Sequence, residues 1–156
     1  DSGLIPLEQE LSLVQSYIVI QRIRFDETLD YRLAVEADEL KDVLIPKLTL
    51  QPLAENALYH GIKNKRGGGK ILIEGEKRGD DLILRVTDNG QGMKKERLLE
   101  IQHAIRTGER AGFGLSAVAE RLRLYYGAGY GMEIHSEEGR GTVIEIRIGK
   151  KINLSS

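Results

Sequence analysis

The segment DLILRVTDNGQGM, residues 81–93, constrains the fold more than any other part of the chain. Its first eight residues read as a buried strand that ends in Asp88. Asn89-Gly90 has the residue types of a tight hairpin turn, but a hairpin needs a second strand directly after it. The sequence that follows, MKKERLLEIQHAI, has helical spacing instead. A strand therefore ends on an acid, passes Gly90 and Gly92, and runs into a polar helix. Such an end suits a flat ligand: Asp88 can accept a hydrogen bond, and the glycines let the ligand approach the main chain.

The rest of the chain supplies partners for that strand. Residues 2–25 read as a helix, with Pro6 in its first turn, Glu8 and Glu10 opposing the dipole, and Leu7, Leu11, Val14, Ile18 and Phe25 on one stripe. LDYRLAVE, residues 29–36, alternates like a strand. Pro46 precedes a second helical run, KLTLQPLAENALYHGI, in which Pro52 marks the first turn or the true start and Gly61 the stop. KILIEGEK and DLILRVTD are paired strands around an RGD turn. LSAVAERLRLYY is an amphipathic helix with Leu115, Val118, Leu122 and Tyr125 on its apolar side. GMEIHSEEGRGTVIEIRIG forms a closing hairpin, Ile144, Ile146 and Ile148 alternating with Glu145 and Arg147. Helices mixed with mostly antiparallel strands predict an α+β two-layer sandwich, with the helices on one face of the sheet.

Two further elements carry candidate chemistry. Gly112 and Gly114 stand directly before the LSAVAERL helix, whose first N–H groups, from Leu115 onward, could hold a phosphate. Asn56 and His60 are one turn apart on an otherwise apolar helix. A side-chain amide there can offer its oxygen to Mg²⁺, which keeps waters and phosphate oxygens as its other ligands. The plainer alternatives are a flexible loop with an ordinary cap and a satisfied core amide. RGGGKI is no Walker A loop, because Ile71 rather than Ser or Thr follows Lys70.

Net charge is −1 over 156 residues, so nothing favours nucleic acid as a partner. The absence of cysteine excludes disulfides and thiolate metal sites. His60, His103 and His135 are too far apart for a metal-ligand spacing. No apolar run is long enough to span a bilayer.

Taken in order, an asparagine helix, a strand ending in Asp-x-Gly-x-Gly, a Gly-x-Gly opening a helix, and Gly-x-Gly-Thr entering a last strand resemble the GHKL superfamily of Bergerat-fold ATP-binding domains. Within it, IPLEQELSLVQSYIVIQRIRF, LTLQPLAENALYHGI and RLRLYYG are similar to LytS/YesM-type bacterial sensor histidine kinases. The resemblance implies a cytoplasmic piece of a membrane-bound sensor. Residues 1–25 would link to an absent upstream phosphoacceptor region, 26–150 would form the ATP-binding catalytic domain, and 151–156 a tail. ATP and Mg²⁺ would be the cofactors. The acceptor histidine upstream, a response regulator and a second copy of the whole kinase would be the partners, so this chain alone should hardly autophosphorylate.

The resemblance also assigns roles. Asn56 would coordinate Mg²⁺, Asp88 would accept from the adenine amino group, and Gly90 and Gly92 would line the base. Met93 would open the covering segment, and Lys94 to Ala111 would form a mobile lid. Gly112, Gly114 and Leu115 would hold the phosphates, and Thr142 would reach adenine beside Asp88. Many relatives carry Lys where this chain has Tyr59, which would leave a phosphate contact to His60 or Lys63. Many carry Asn where it has Ala117. A gyrase-type hydrolase would need a Glu at the position of Pro52, with Glu55 adjacent to Asn56 but turned away. The other rivals are an anti-sigma-factor serine kinase and a degenerate nucleotide-binding or dimerisation module.

Overall fold

A computed structural model describes residues 3–24, 29–35, 40, 42–62, 68–109 and 114–149. The side chains of 24 and 60–62 lie outside that description, as do Phe25, Lys63, Gly112 and the tail.

The core is organised by rows of alternate residues on a five-stranded sheet. The strands are β2 (Leu29–Val35), β4 (Gly69–Arg78), β5 (Asp81–Asp88), β6 (Gly131–Glu137) and β7 (Gly141–Ile148), in spatial order β2-β4-β5-β7-β6. All pairings are antiparallel except the parallel β2–β4 edge. Ile71 and Ile73 on β4, Leu82, Leu84 and Val86 on β5, and Ile144, Ile146 and Ile148 on β7 are all buried. They share a face with the helices, as period-2 alternation requires. Next to them on β4, β5 and β7 a charged network forms: Arg85 reaches Glu145 at 2.7 Å and Glu74 at 3.6 Å. The arrangement is the predicted α+β two-layer sandwich.

Among the described residues four α-helices complete it: α1 (Leu7–Arg24), α2 (Leu50–Asn56), α3 (Lys95–Thr107) and α4 (Gly114–Tyr126). Leu7, Leu11, Val14 and Ile18 are buried, so the expected stripe of α1 is core. A second apolar set, Leu13, Val19, Ile20 and Ile23, faces outward at 47–74% exposure.

Several expectations need correction. The first helix starts at Leu7, because residues 4–6 form a short strand, β1 (Leu4–Pro6), antiparallel to β3 (Leu44–Pro46). Three-residue strands carry no readable period, so this two-stranded sheet was not predicted. On α4 the buried tyrosine is Tyr126, with Tyr125 only half-buried, because the true stripe passes through Ala119, Leu122 and Tyr126. Pro52 sits in the first turn of α2, where its missing N–H leaves no bond unmade. After Asn56 the helix widens into a π-helical turn over Ala57–Ile62, which runs through Gly61 instead of stopping there.

Candidate functional site

At one end of the sheet the inward apolar rows become polar. On β5 the row Leu82, Leu84, Val86 continues to Asp88, and on β7 the row Ile148, Ile146, Ile144 continues to Thr142. Asp88 and Thr142 are direct neighbours across the strand pair, 5% and 4% exposed. Ser136 on β6 stands opposite Thr142, and their hydroxyls meet at 2.8 Å. A buried carboxylate and two hydroxyls therefore lie in one line across three strands, where burial alone would favour three more aliphatics. Ser136 was absent from the expected site, although counting back from the Glu-Gly-Arg-Gly turn places it opposite Thr142.

The DNGQG segment is no hairpin. The Gly90 N–H donates to Asp88 Oδ1 at 2.8 Å, which fixes the carboxylate. Asn89 extends the sheet, taking the Lys70 N–H on its side-chain oxygen at 2.7 Å and donating its own N–H to the Lys70 carbonyl. Gly92 has φ +68°, and a Cβ there would stand 2.0 Å from the Glu137 carbonyl oxygen. Gly141, φ +123°, passes the Asp88 carbonyl as closely. The two glycines let the end of β5 and the β6–β7 turn clasp each other, and the Gly139 N–H donates to the Gln91 carbonyl at 2.7 Å. Gly92 thus has a packing reason to be glycine apart from any ligand. Gly90 is buried, and Met93 is half-buried against the core.

Asn56 ends α2 at 7% exposure, and no described residue hydrogen-bonds its side chain. The turn that follows it packs on β4, β5 and β7, and α2 packs on α4. The turn after Asn56 thus lies against β5 and β7, the two strands that carry Asp88 and Thr142. His60 lies in that turn with its side chain outside the described residues. Glu55 is half-buried and accepts from Gln51 Nε2 at 3.2 Å. Tyr59 is exposed, as is Ala117.

Gly114 opens α4, and no described residue lies within 4 Å of where its Cβ would be. The first N–H groups of a helix are where an anion can approach the main chain. The Leu115 side chain is in the core, so any role in the site falls to its N–H. The expected lid is for the most part α3, packed through Ile101, Ala104 and Ile105, with Gln102 Nε2 donating to the Ile134 carbonyl at 2.9 Å. Of the rest of it, Arg110 and Ala111 lie outside the described residues.

The donor set fits the implied metal in one respect. Among the described residues no three His, Asp or Glu gather around a point. A lone buried amide suits an ion whose remaining ligands are phosphate oxygens and water.

A family model described as histidine kinase-, DNA gyrase B-, and HSP90-like ATPase matches residues 45–152. The chain belongs to this ATPase family. Within it, the sequence is 42% identical over 145 residues to the sensor histidine kinase YesM of Bacillus subtilis (strain 168), covering 93% of this chain and 24% of the relative. It is 35% identical over 150 residues to the sensor protein LytS of Bacillus anthracis, covering 96% and 25%. The chain thus spans about a quarter of the length of these curated relatives. The fold matches the catalytic domain of the histidine kinase ThkA at a TM-score of 0.64 and 17% identity, covering 96% of this chain and 97% of that one. For this ATPase-family member the predicted superfamily, the LytS/YesM likeness and the kinase-domain fold therefore all hold.

Proposed function

We propose that this chain is the phosphoryl-donating, Mg·ATP-binding domain of a two-component sensor histidine kinase. The observation that carries the reading is Asp88, a carboxylate buried at the end of a central strand and aimed by the Gly90 N–H. Adenine offers an amino donor of the kind this acceptor needs, and the Thr142–Ser136 hydroxyl pair stands beside it to accept or relay a further hydrogen bond. Asn56 would hold Mg²⁺, which when bound offsets the charge on the phosphates. Gly112, Gly114 and the first N–H groups of α4 would take the phosphate oxygens, with His60 or Lys63 in the place that Lys fills in many relatives.

The residues of the chain then position and neutralise. In transfer, the bond between the γ-phosphorus and the oxygen leaving with ADP breaks. A bond to a nitrogen of a histidine outside this chain forms, and backbone donors stabilise the charge moving onto ADP. A histidine upstream, and then a response regulator, would receive the phosphoryl group. The kinase ThkA has been solved in complex with the response regulator TrrA. The outward face of α1, where Leu13, Ile20 and Ile23 are exposed, would seat the upstream helices of a homodimer on the cytoplasmic side of a membrane.

Titration calorimetry of ATP and ADP, with and without Mg²⁺, tests the reading on this chain and on Asp88→Asn. Binding by the parent and a loss of at least about tenfold in the variant are expected, because an amide replaces a buried acceptor with a donor. Failure of both to bind at millimolar nucleotide would reject the catalytic reading and favour the degenerate module.

A further inference from the structure

Helix α2 is seven residues long, begins at a strained junction, and is capped from far away in sequence. Its N-cap residue, Thr49, makes no side-chain cap bond, and its hydroxyl donates to the Pro46 carbonyl instead. The cap comes from Glu10 on α1, a carboxylate 1% exposed. Glu10 Oε2 accepts the N–H groups of Thr49 and Leu50, each at 2.7 Å, and Oε1 accepts that of Leu48 at 3.1 Å. Leu48 is the one described non-glycine residue with positive φ, +59°. Its carbonyl is gripped from the other side by Arg121 Nη2 of α4 at 2.7 Å.

One junction therefore ties three helices. At a rise of about 1.5 Å per residue, the Glu10 anchor and Asn56 stand roughly 10 Å apart on one rigid rod. α4, which Arg121 holds, is the helix opened by Gly114. A buried carboxylate accepting three backbone N–H groups resists displacement, since each lost partner leaves a polar group stranded.

We propose that Glu10 is a positioning residue for the metal-binding end of the nucleotide site. It sets the placement of Asn56 through α2 and so couples α1 to Mg²⁺-dependent nucleotide affinity. This rests on the reading of Asn56 as the Mg²⁺ ligand. The base-binding end, built on β5 and β7, does not pass through the junction.

The test compares ATP affinity in Mg²⁺ and in EDTA for the parent, Asn56→Ala and Glu10→Gln, well below each melting temperature. The amide of Glu10→Gln keeps the shape but loses the charge and an acceptor. In Glu10→Gln the Mg²⁺ enhancement is expected to fall by at least about fivefold, approaching that of Asn56→Ala, while affinity in EDTA stays within about twofold. A purely structural role would lower the melting temperature and leave the ratio of the two affinities intact, which overturns the inference. A parent whose affinity ignores Mg²⁺, or an Asn56→Ala that keeps the enhancement, rejects the Asn56 reading and this inference with it. Should Glu10→Gln fail to fold, Arg121→Met releases the same junction from the α4 side. Its Mg²⁺ enhancement is expected to drop, and an unchanged value counts against the proposal.

Discussion

Tyr126 packs its ring against Tyr125 and Tyr130, centroids 6.1 and 5.8 Å away, and its buried hydroxyl has no hydrogen-bond partner among the described residues. Burial pushes the phenol up to about 12, and Tyr125 adds to the rise. The unfolded chain ionises near its ordinary value of about 10. Below that pH both states carry the neutral phenol and its contribution to stability is intact. As pH climbs from 10 through 12, the unfolded state gives up its proton first and stability falls. Tyr126→Phe removes a hydroxyl that bonds to no described residue. Urea midpoints for the variant are expected to match or exceed the parent at pH 8. Between pH 10 and 11.5 they should fall less steeply, and a slope equal to the parent's would contradict the buried-phenol account. Asp88 shows what was legible at this scale: it ends an apolar strand, which a sequence displays directly, whereas Thr142 entered only through the resemblance. Glu10 was legible only as an acid in a first turn, because the N–H groups that it accepts lie 38 to 40 residues away.

At the scale of elements, the glycines of the site separate into two kinds. Gly92 and Gly141 hold positive φ and leave no room for a Cβ between the end of β5 and the β6–β7 turn. Gly92→Ala or Gly141→Ala is expected to destabilise the fold by more than about 2 kcal/mol, since an L residue in that conformation is strained and a backbone carbonyl must also move. Gly114, at the start of α4, has no described residue within 4 Å of a would-be Cβ. Gly114→Ala should leave the melting temperature equal or higher, because Ala is the better helix residue by about 0.5–1 kcal/mol. Its ATP affinity should nonetheless fall as the methyl group intrudes on the anion's approach. Thermal melts and calorimetry on the three variants separate the two kinds, and an unchanged affinity in Gly114→Ala would remove Gly114 from the site. The sequence showed all three as the same Gly-x-Gly punctuation. Only strand register says which are squeezed. The long strands and α3 and α4 were readable because their periods extend over seven or more residues, whereas β1 and β3 are too short to have one.

On the whole molecule, polarity runs along the sheet and across it. The β5–β7 end that carries Asp88 and Thr142 is the candidate nucleotide end, and the opposite end closes on the Asp81–Arg147 ion pair at 2.6 Å. Among the described residues no helix is long and apolar enough to cross a membrane. α1 lies at the side, its inner stripe in the core and its outer face apolar at Leu13, Val19, Ile20 and Ile23. With apolar residues on both faces, α1 lacks the one-sided pattern by which a surface helix is recognised, so the sequence exposed only the inner stripe. Four exposed aliphatics on one side of α1, flanked by the charged Glu8 and Arg22, make a surface that a second copy of this chain can cover. Sedimentation of this chain should therefore show concentration-dependent self-association. Ile20→Glu combined with Ile23→Glu should abolish it. The same variant should keep stability within about 1 kcal/mol, as exposed substitutions do, and should bind ATP as the parent does. An unfolded double variant would show that this face belongs to the core after all. A monomeric parent would leave the outer face of α1 without the role assigned to it.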